Sequence, residues 1–143
     1  MSSGYPSLVI HCDGAARGNP GPAGAGSVLS TPEGTVVAEI AEGLGRTTNN
    51  VAEYTAAILG MERARVLGAR EVVVRSDSQL LVNQLTGRYR VRTEHLRPLY
   101  ERVLQLASGF ERISFEHVPR EDNLDADRLA NAGVDASLAE HPG

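Results

Sequence analysis

The 143-residue sequence has one cysteine, no tryptophan and no lysine. A single thiol, Cys12, excludes an internal disulfide and fits a reducing compartment. With no CxxC pair and four scattered histidines, the residues argue against a structural zinc site. Apolar runs stay far short of the roughly 20 residues that cross a bilayer. The N-terminus lacks the basic stretch and apolar segment of an export signal. We therefore expect a cytoplasmic chain with no membrane partner. Its length suits one domain with one core, and a monomer.

Acids outnumber bases, 18 to 14, for a formal charge of -4, which by itself disfavours nucleic-acid binding. Distribution matters more than the sum. Every basic residue is arginine, and Arg88, Arg90, Arg92 and Arg97 crowd one stretch that holds a single acid, Glu94. Divalent cations bound by clustered acids would mask part of the excess.

Residues 8–12 read as an apolar strand that ends at Asp13-Gly14. The Gly18-Asn19-Pro20-Gly21-Pro22 run that follows cannot be helix. Residues 24–30 and 35–42 predict a hairpin around Thr31-Pro32-Glu33-Gly34. A first helix follows Thr47-Thr48-Asn49-Asn50 and runs to about Gly68, with Asn50 and Glu53 spaced as a capping box. Residues 71–75 form a short buried strand, and Ser76-Asp77-Ser78 caps a second helix reaching about Gly87. Leu96, Leu99, Tyr100, Val103, Leu104 and Ala107 fall on one stripe of a third helix. Residues 113–118 form a fifth strand, Asn123 opens the last helix, and residues 137–143 read as a frayed tail. Three hairpin-linked strands followed by strands alternating with helices imply an α/β fold. Its five-stranded mixed sheet, three antiparallel strands and then parallel ones, would be flanked by helices.

Four acids stand where such a fold gathers ligands. Asp13 and Asp77 end strands, while Glu53 and Asp127 lie in the first turns of helices. Strand ends and helix N-termini converge on one edge of an α/β sheet. Magnesium takes oxygen ligands and keeps several waters, so a few carboxylates plus a phosphate suffice. Two such ions, roughly 3.5–4 Å apart, can hold both oxygens of an in-line phosphoryl displacement. Any one of these acids alone reads more simply as a cap or a solvated group.

The sequence around all four resembles type 1 ribonucleases H. Asp13-Gly14-Ala15-Ala16-Arg17-Gly18-Asn19-Pro20-Gly21-Pro22 is similar to that family's opening, and Thr47-Thr48-Asn49-Asn50-Val51-Ala52-Glu53 to its first helix start. Ser76-Asp77-Ser78-Gln79 and Asn123-Leu124-Asp125-Ala126-Asp127-Arg128-Leu129-Ala130 match two further motifs in the family's order. The resemblance implies one ribonuclease H domain over residues 1–143, with its core at about 7–136. It implies an endonuclease that hydrolyses the RNA strand of RNA–DNA hybrids with two Mg2+ ions, Mn2+ able to substitute. Products would carry a 5′ phosphate and a 3′ hydroxyl. Asp13 would bridge both ions, Asp127 would complete the one that activates water, and Glu53 with Asp77 would hold the one at the leaving oxygen. Asp122, Asp125 and Asp135 have no matching position and read as a solvated face.

The 2′-hydroxyl distinguishes RNA from DNA, and amides can both donate to it and accept from it. By resemblance Asn19, Asn49, Asn50 and Gln79 line the minor-groove face, and Thr48 holds a DNA phosphate. Asn19 also reads as a turn residue, and Asn50 equally as a helix cap. Arg88 and Arg90, near Tyr89, would track the phosphate backbone. Many family members carry a longer, tryptophan-containing basic protrusion there, and some a histidine in the loop before the last helix. Here that loop, residues 118–122, has none, and His117 at the strand end is expected to serve structurally. The chain resembles the compact subgroup without either feature, whose domains also occur fused to a C-terminal phosphatase.

Other readings carry less. The glycines at 18, 21, 24 and 26 suggest a dinucleotide loop, but two prolines interrupt them and a strand, not a helix, follows. Strand alternation turns Cys12 into the core, away from His11 and Asp13, so a buried small thiol fits better than a ligand. A non-catalytic hybrid- or duplex-binding module on the same fold is the alternative function. Clustered negative charge near phosphate disfavours it.

Overall fold

Alternation decides the central strand. In β1 (Ser7–Ala16) the side chains of Leu8, Ile10 and Cys12 are fully buried, while Ser7, Val9 and His11 are only half-buried. β4 (Glu71–Ser76) repeats the pattern with Val72 and Val74. The computed structural model describes residues 4–140. Beside these strands it contains β2 (Gly21–Ser30), β3 (Val36–Thr47), α1 (Asn49–Val66), α2 (Gln79–Leu85), α3 (Arg97–Ala107), β5 (Arg112–His117) and α4 (Leu124–Glu140). Single 3-10 turns precede α3 and α4.

The strand order is β3-β2-β1-β4-β5. β1–β2 and β2–β3 pair antiparallel; β1–β4 and β4–β5 pair parallel. Tight turns suffice for the first three strands, whereas the parallel ones need helical crossovers. The expected α/β architecture is the one observed. α1 covers the sheet face bearing Ile10, and α3 packs on α1, closing a core that includes Tyr54, Met61, Val74, Leu81, Val103 and Leu106. α4 lies on β2 and β3, where Gly24 and Gly26 admit it: a Cβ on either would collide with the backbone of Ala130 or Ala126. Among the described residues no helix is long and apolar enough to cross a membrane.

Several boundaries differ from expectation. β1 and β3 run to Ala16 and Thr47, and β2 starts at Gly21, inside the glycine- and proline-rich run expected to be a break. Ladder pairs such as Ala16↔Ala23 and Gly21↔Thr47 override weak strand propensity there. α1 is capped by Thr48, whose Oγ1 accepts from the Val51 N–H at 3.2 Å, and not by Asn50. The tail expected from residue 137 is helix to Glu140. Ser137 Oγ donates to the Ala23 carbonyl (2.8 Å) and accepts from the Gly45 N–H (3.0 Å), which stitches α4 to β2 and β3. Residues 141–143 of that expectation lie outside the described residues.

Candidate metal centre and nucleic-acid interface

Each candidate acid is delivered by a different element. Asp13 lies inside β1, opposite Gly26, and Asp77 follows the last residue of β4. Glu53 sits one turn into α1, and Asp127 in the first turn of α4. Carboxylate oxygens of Asp13, Glu53 and Asp77 lie within 4.8 Å of one another. Three of the four expected acids are thus brought to ligand distance, and Asp127 lies outside that trio but near enough for its charge to act on Asp13 and Glu53.

Supporting contacts fix the arrangement. The Gly14 N–H donates to Glu53 Oε2 at 3.1 Å, so the carboxylate expected to close a capping box turns to β1 instead. The Ser78 N–H donates to Ser76 Oγ (3.0 Å) and Ser78 Oγ accepts from the Leu81 N–H (3.1 Å), which shapes the turn holding Asp77. Asn123, expected to open the last helix and the motif around Asp127, joins two of the acids. Its Nδ2 donates to the Cys12 carbonyl (3.0 Å), next to Asp13, and its own carbonyl accepts from the Asp127 N–H (3.1 Å). Asn123 is buried, and its Oδ1 has no hydrogen-bond partner among the described residues. The signal available in the sequence was an amide four residues before Asp127, a spacing of one helical turn.

Gly14 is the second residue that the sequence left unassigned. A Cβ there would collide with the Glu53 backbone nitrogen and with Ala52. Gly14→Ala must therefore push α1 off β1, at a cost of about 1–3 kcal/mol. A melting temperature lowered by at least about 3 °C, alongside weaker divalent-cation binding, is the expected result; an unchanged melting curve would refute it.

Electrostatics show what the cluster lacks. Asp13 and Glu53 are only 5% and 6% exposed, and among the described residues none of the four acids forms an ion pair. Burial first, then the charges of Glu53 and Asp77, raises the Asp13 carboxyl to about 9. Burial and Asp77 raise Glu53 to about 8. Buried carboxylates without a counter-charge are costly unless protonated or bound to cations. An all-oxygen, anionic donor set of this kind fits a hard divalent ion. Cys12 is no part of it: the thiol is fully buried on the opposite face, pushed up by burial, with Sγ 3.6 Å from the Arg75 carbonyl. Asp125 and Asp135, expected on a solvated face, are exposed and meet Arg128 (3.9 Å) and Arg17 (3.0 Å); Asp122 is exposed too.

The expected substrate readers fall into three groups. Asn19 Oδ1 accepts from the Asn49 N–H at 3.0 Å, which ties the Gly/Pro loop to the start of α1 beside Thr48 and Asn50. Gln79 is the exposed first residue of α2, two positions after Asp77. Arg88 and Arg90 are exposed in the connection beyond the far end of α2. His117, expected to be structural, is exposed and lines a groove with Gln79, Asn83, Arg88 and Phe115.

Comparison with known proteins agrees with this geometry. The family described as "Reverse transcriptase-like" matches residues 11–133. Bifunctional protein Rv2228c of Mycobacterium tuberculosis is 50% identical over 131 residues, which cover 91% of this chain and 36% of that protein. The chain thus spans about a third of that relative's length. The solved N-terminal RNase H domain of Rv2228c, fused to maltose-binding protein, superposes with a TM-score of 0.91 at 48% identity, covering 94% of this chain and 98% of that one. Ribonuclease HI of Halobacterium salinarum is 46% identical, covering 86% of this chain and 62% of that protein. LC11-RNase H1, isolated from compost and solved in complex with an RNA/DNA hybrid, has a TM-score of 0.87 at 39% identity, covering 92% and 99% of the two chains. The fold, the order of the motifs and these likenesses agree: the chain belongs to the type 1 ribonuclease H family.

Proposed function

We propose that this chain is an endonuclease that hydrolyses the RNA strand of RNA–DNA hybrids and leaves 5′-phosphate and 3′-hydroxyl ends. One observation carries the reading. Three carboxylates from three elements meet with no counter-charge and Asp127 of a fourth element beside them, in a fold whose relative LC11-RNase H1 is solved in complex with an RNA/DNA hybrid. Asp13, Glu53, Asp77 and Asp127 would hold two divalent cations, Mg2+ or in its place Mn2+. When bound, such ions supply an activated water and neutralise charge on the leaving oxygen.

The chain's own residues position the substrate. Asn19, Asn49 and Asn50 offer amides beside the N-terminus of α1, whose dipole favours phosphate, and Thr48 presents its hydroxyl there. Gln79 offers a further amide, at a second place, beside Asp77. Reading from both places suits the 2′-hydroxyls of a single RNA strand. Arg88 and Arg90 add sequence-independent attraction to the backbone. The same proposal takes residues 1–143 as one ribonuclease H domain, acting as a cytoplasmic monomer.

The discriminating experiment is an end-labelled cleavage assay on hybrid, RNA duplex, DNA duplex and single strands, with Mg2+, Mn2+ or chelator. Cutting of the RNA in the hybrid, stopped by chelator, is the expected outcome. Tight hybrid binding without cleavage under either metal would instead establish the non-catalytic module.

A further inference from the structure

We propose that Gln84 and Tyr54 are positioning residues for the arginine-bearing connection between α2 and α3, and that they set hybrid affinity. This rests on the hybrid reading above. Tyr54 follows Glu53 in α1 and is 1% exposed; Gln84, in α2, is 5% exposed. Tyr54 Oη donates to Gln84 Oε1 at 2.6 Å, and Gln84 Nε2 donates to the Arg90 carbonyl at 3.5 Å. One buried amide therefore joins the helix that carries Glu53 to the loop that carries Arg88, Arg90 and Arg92.

The rest of the connection is held in the same manner. The Asn83 carbonyl accepts from the Arg88 and Tyr89 N–H groups at 2.8 and 3.0 Å. Arg97 Nη2 donates to the Val91 carbonyl (3.0 Å), and the Val91 side chain is buried in the core. Between these pins, Arg88, Arg90 and Arg92 are exposed, and none makes an ion pair among the described residues. Three free guanidiniums thus stand on a backbone fixed from inside. Buried polar side chains need partners at both ends, so a plain core position would be filled at lower cost by leucine. Here both ends of the amide are used, and what they secure is the loop. A loop held in its binding shape loses less entropy when phosphates dock, which strengthens binding without touching the chemistry.

Kinetics and proteolysis on the full chain test this together. Tyr54→Phe and Gln84→Met are compared with wild type and with Arg88→Ala/Arg90→Ala on a hybrid in Mg2+, across about 50–200 mM salt. Both relay variants should raise KM about fivefold at the upper salt, leave kcat within about twofold, and flatten the salt slope by about one contact. Trypsin should cut after Arg88, Arg90 or Arg92 at least about tenfold faster, because the loop opens more often. Wild-type KM, salt slope and trypsin rate in both variants would overturn the proposal, as would a lower kcat at unchanged KM. If Gln84→Met does not fold, Tyr54→Phe, which removes one oxygen, decides alone. A wild type that neither binds nor cuts hybrid would remove the functional reading and this proposal with it. A wild type that is weakened by the arginine changes but not by the relay changes would remove this proposal only.

Discussion

Asp13→Asn lowers hybrid cleavage at least about a thousandfold, some 4 kcal/mol of barrier, without harming the fold. Asparagine has the shape of a protonated aspartic acid, and in the metal-free chain the Asp13 carboxyl, raised to about 9, is already protonated at neutral pH. The substitution therefore preserves the resting geometry and removes only the capacity to ionise when cations arrive. Asp13 also stands under the charges of Glu53, Asp77 and Asp127, so it is central to the cluster's repulsion. Losing it should cost cation binding as well as rate, visible as a lost thermal shift on adding Mg2+. Asp122→Asn and Asp125→Asn, on exposed acids outside the cluster, should stay within about twofold of wild type. Activity within tenfold of wild type for Asp13→Asn would sink the metal-centre assignment.

The parts of this structure that follow local rules could be read before any coordinates. Alternation in residues 8–12 and 71–75, the stripe from Leu96 to Ala107 and the turn at Thr31–Gly34 depend on neighbours a few residues away. The strands and the turn formed where expected, and the stripe formed as α3 from Arg97, with Leu96 in the 3-10 turn before it and Leu104 exposed. The four acids were legible for a different reason: their surrounding motifs are long enough to identify the family. What stayed hidden depends on residues far apart in the chain. Nothing near Pro22 announces that a partner at Arg46 will hold it in a strand. Nothing near Glu53 says that its carboxylate prefers the Gly14 N–H, 39 residues away, to its own helix start. The burial of Asn123 against Cys12 and the Tyr54–Gln84 contact are likewise set by tertiary packing. In the tail, Ser137 looked like a solvated residue until β2 and β3 supplied it with a carbonyl and an amide.

Cation affinity should rise steeply with pH, by up to about a hundredfold between about pH 6 and pH 8 for each proton displaced. Asp13 and Glu53, raised to about 9 and about 8, hold protons in the metal-free folded chain over most of that range, Glu53 giving its proton up as pH approaches about 8. A divalent ion must expel those protons to bind, so each unit of pH favours the metal by up to about tenfold per proton. The same shifts fix the sign for stability. In the unfolded chain both carboxyls ionise near about 4, so above that pH the folded state binds more protons than the unfolded one. Stability of the chelated protein must then fall as pH rises from about 4 toward about 9, and level off once both groups ionise in the fold. Mg2+ supplies the missing positive charge, so its stabilising effect is largest at the alkaline end. Calorimetric titration in two buffers of different ionisation enthalpy should count between about one and two protons released per binding event at neutral pH. Melting curves in chelator should drop from about pH 5 to pH 9, and Asp13→Asn should flatten that drop by removing one of the two groups. If Mg2+ binds without releasing protons and with the same affinity across this range, the acids are ionised and separately solvated. They would then not be the mutually repelling cluster on which the nuclease reading stands.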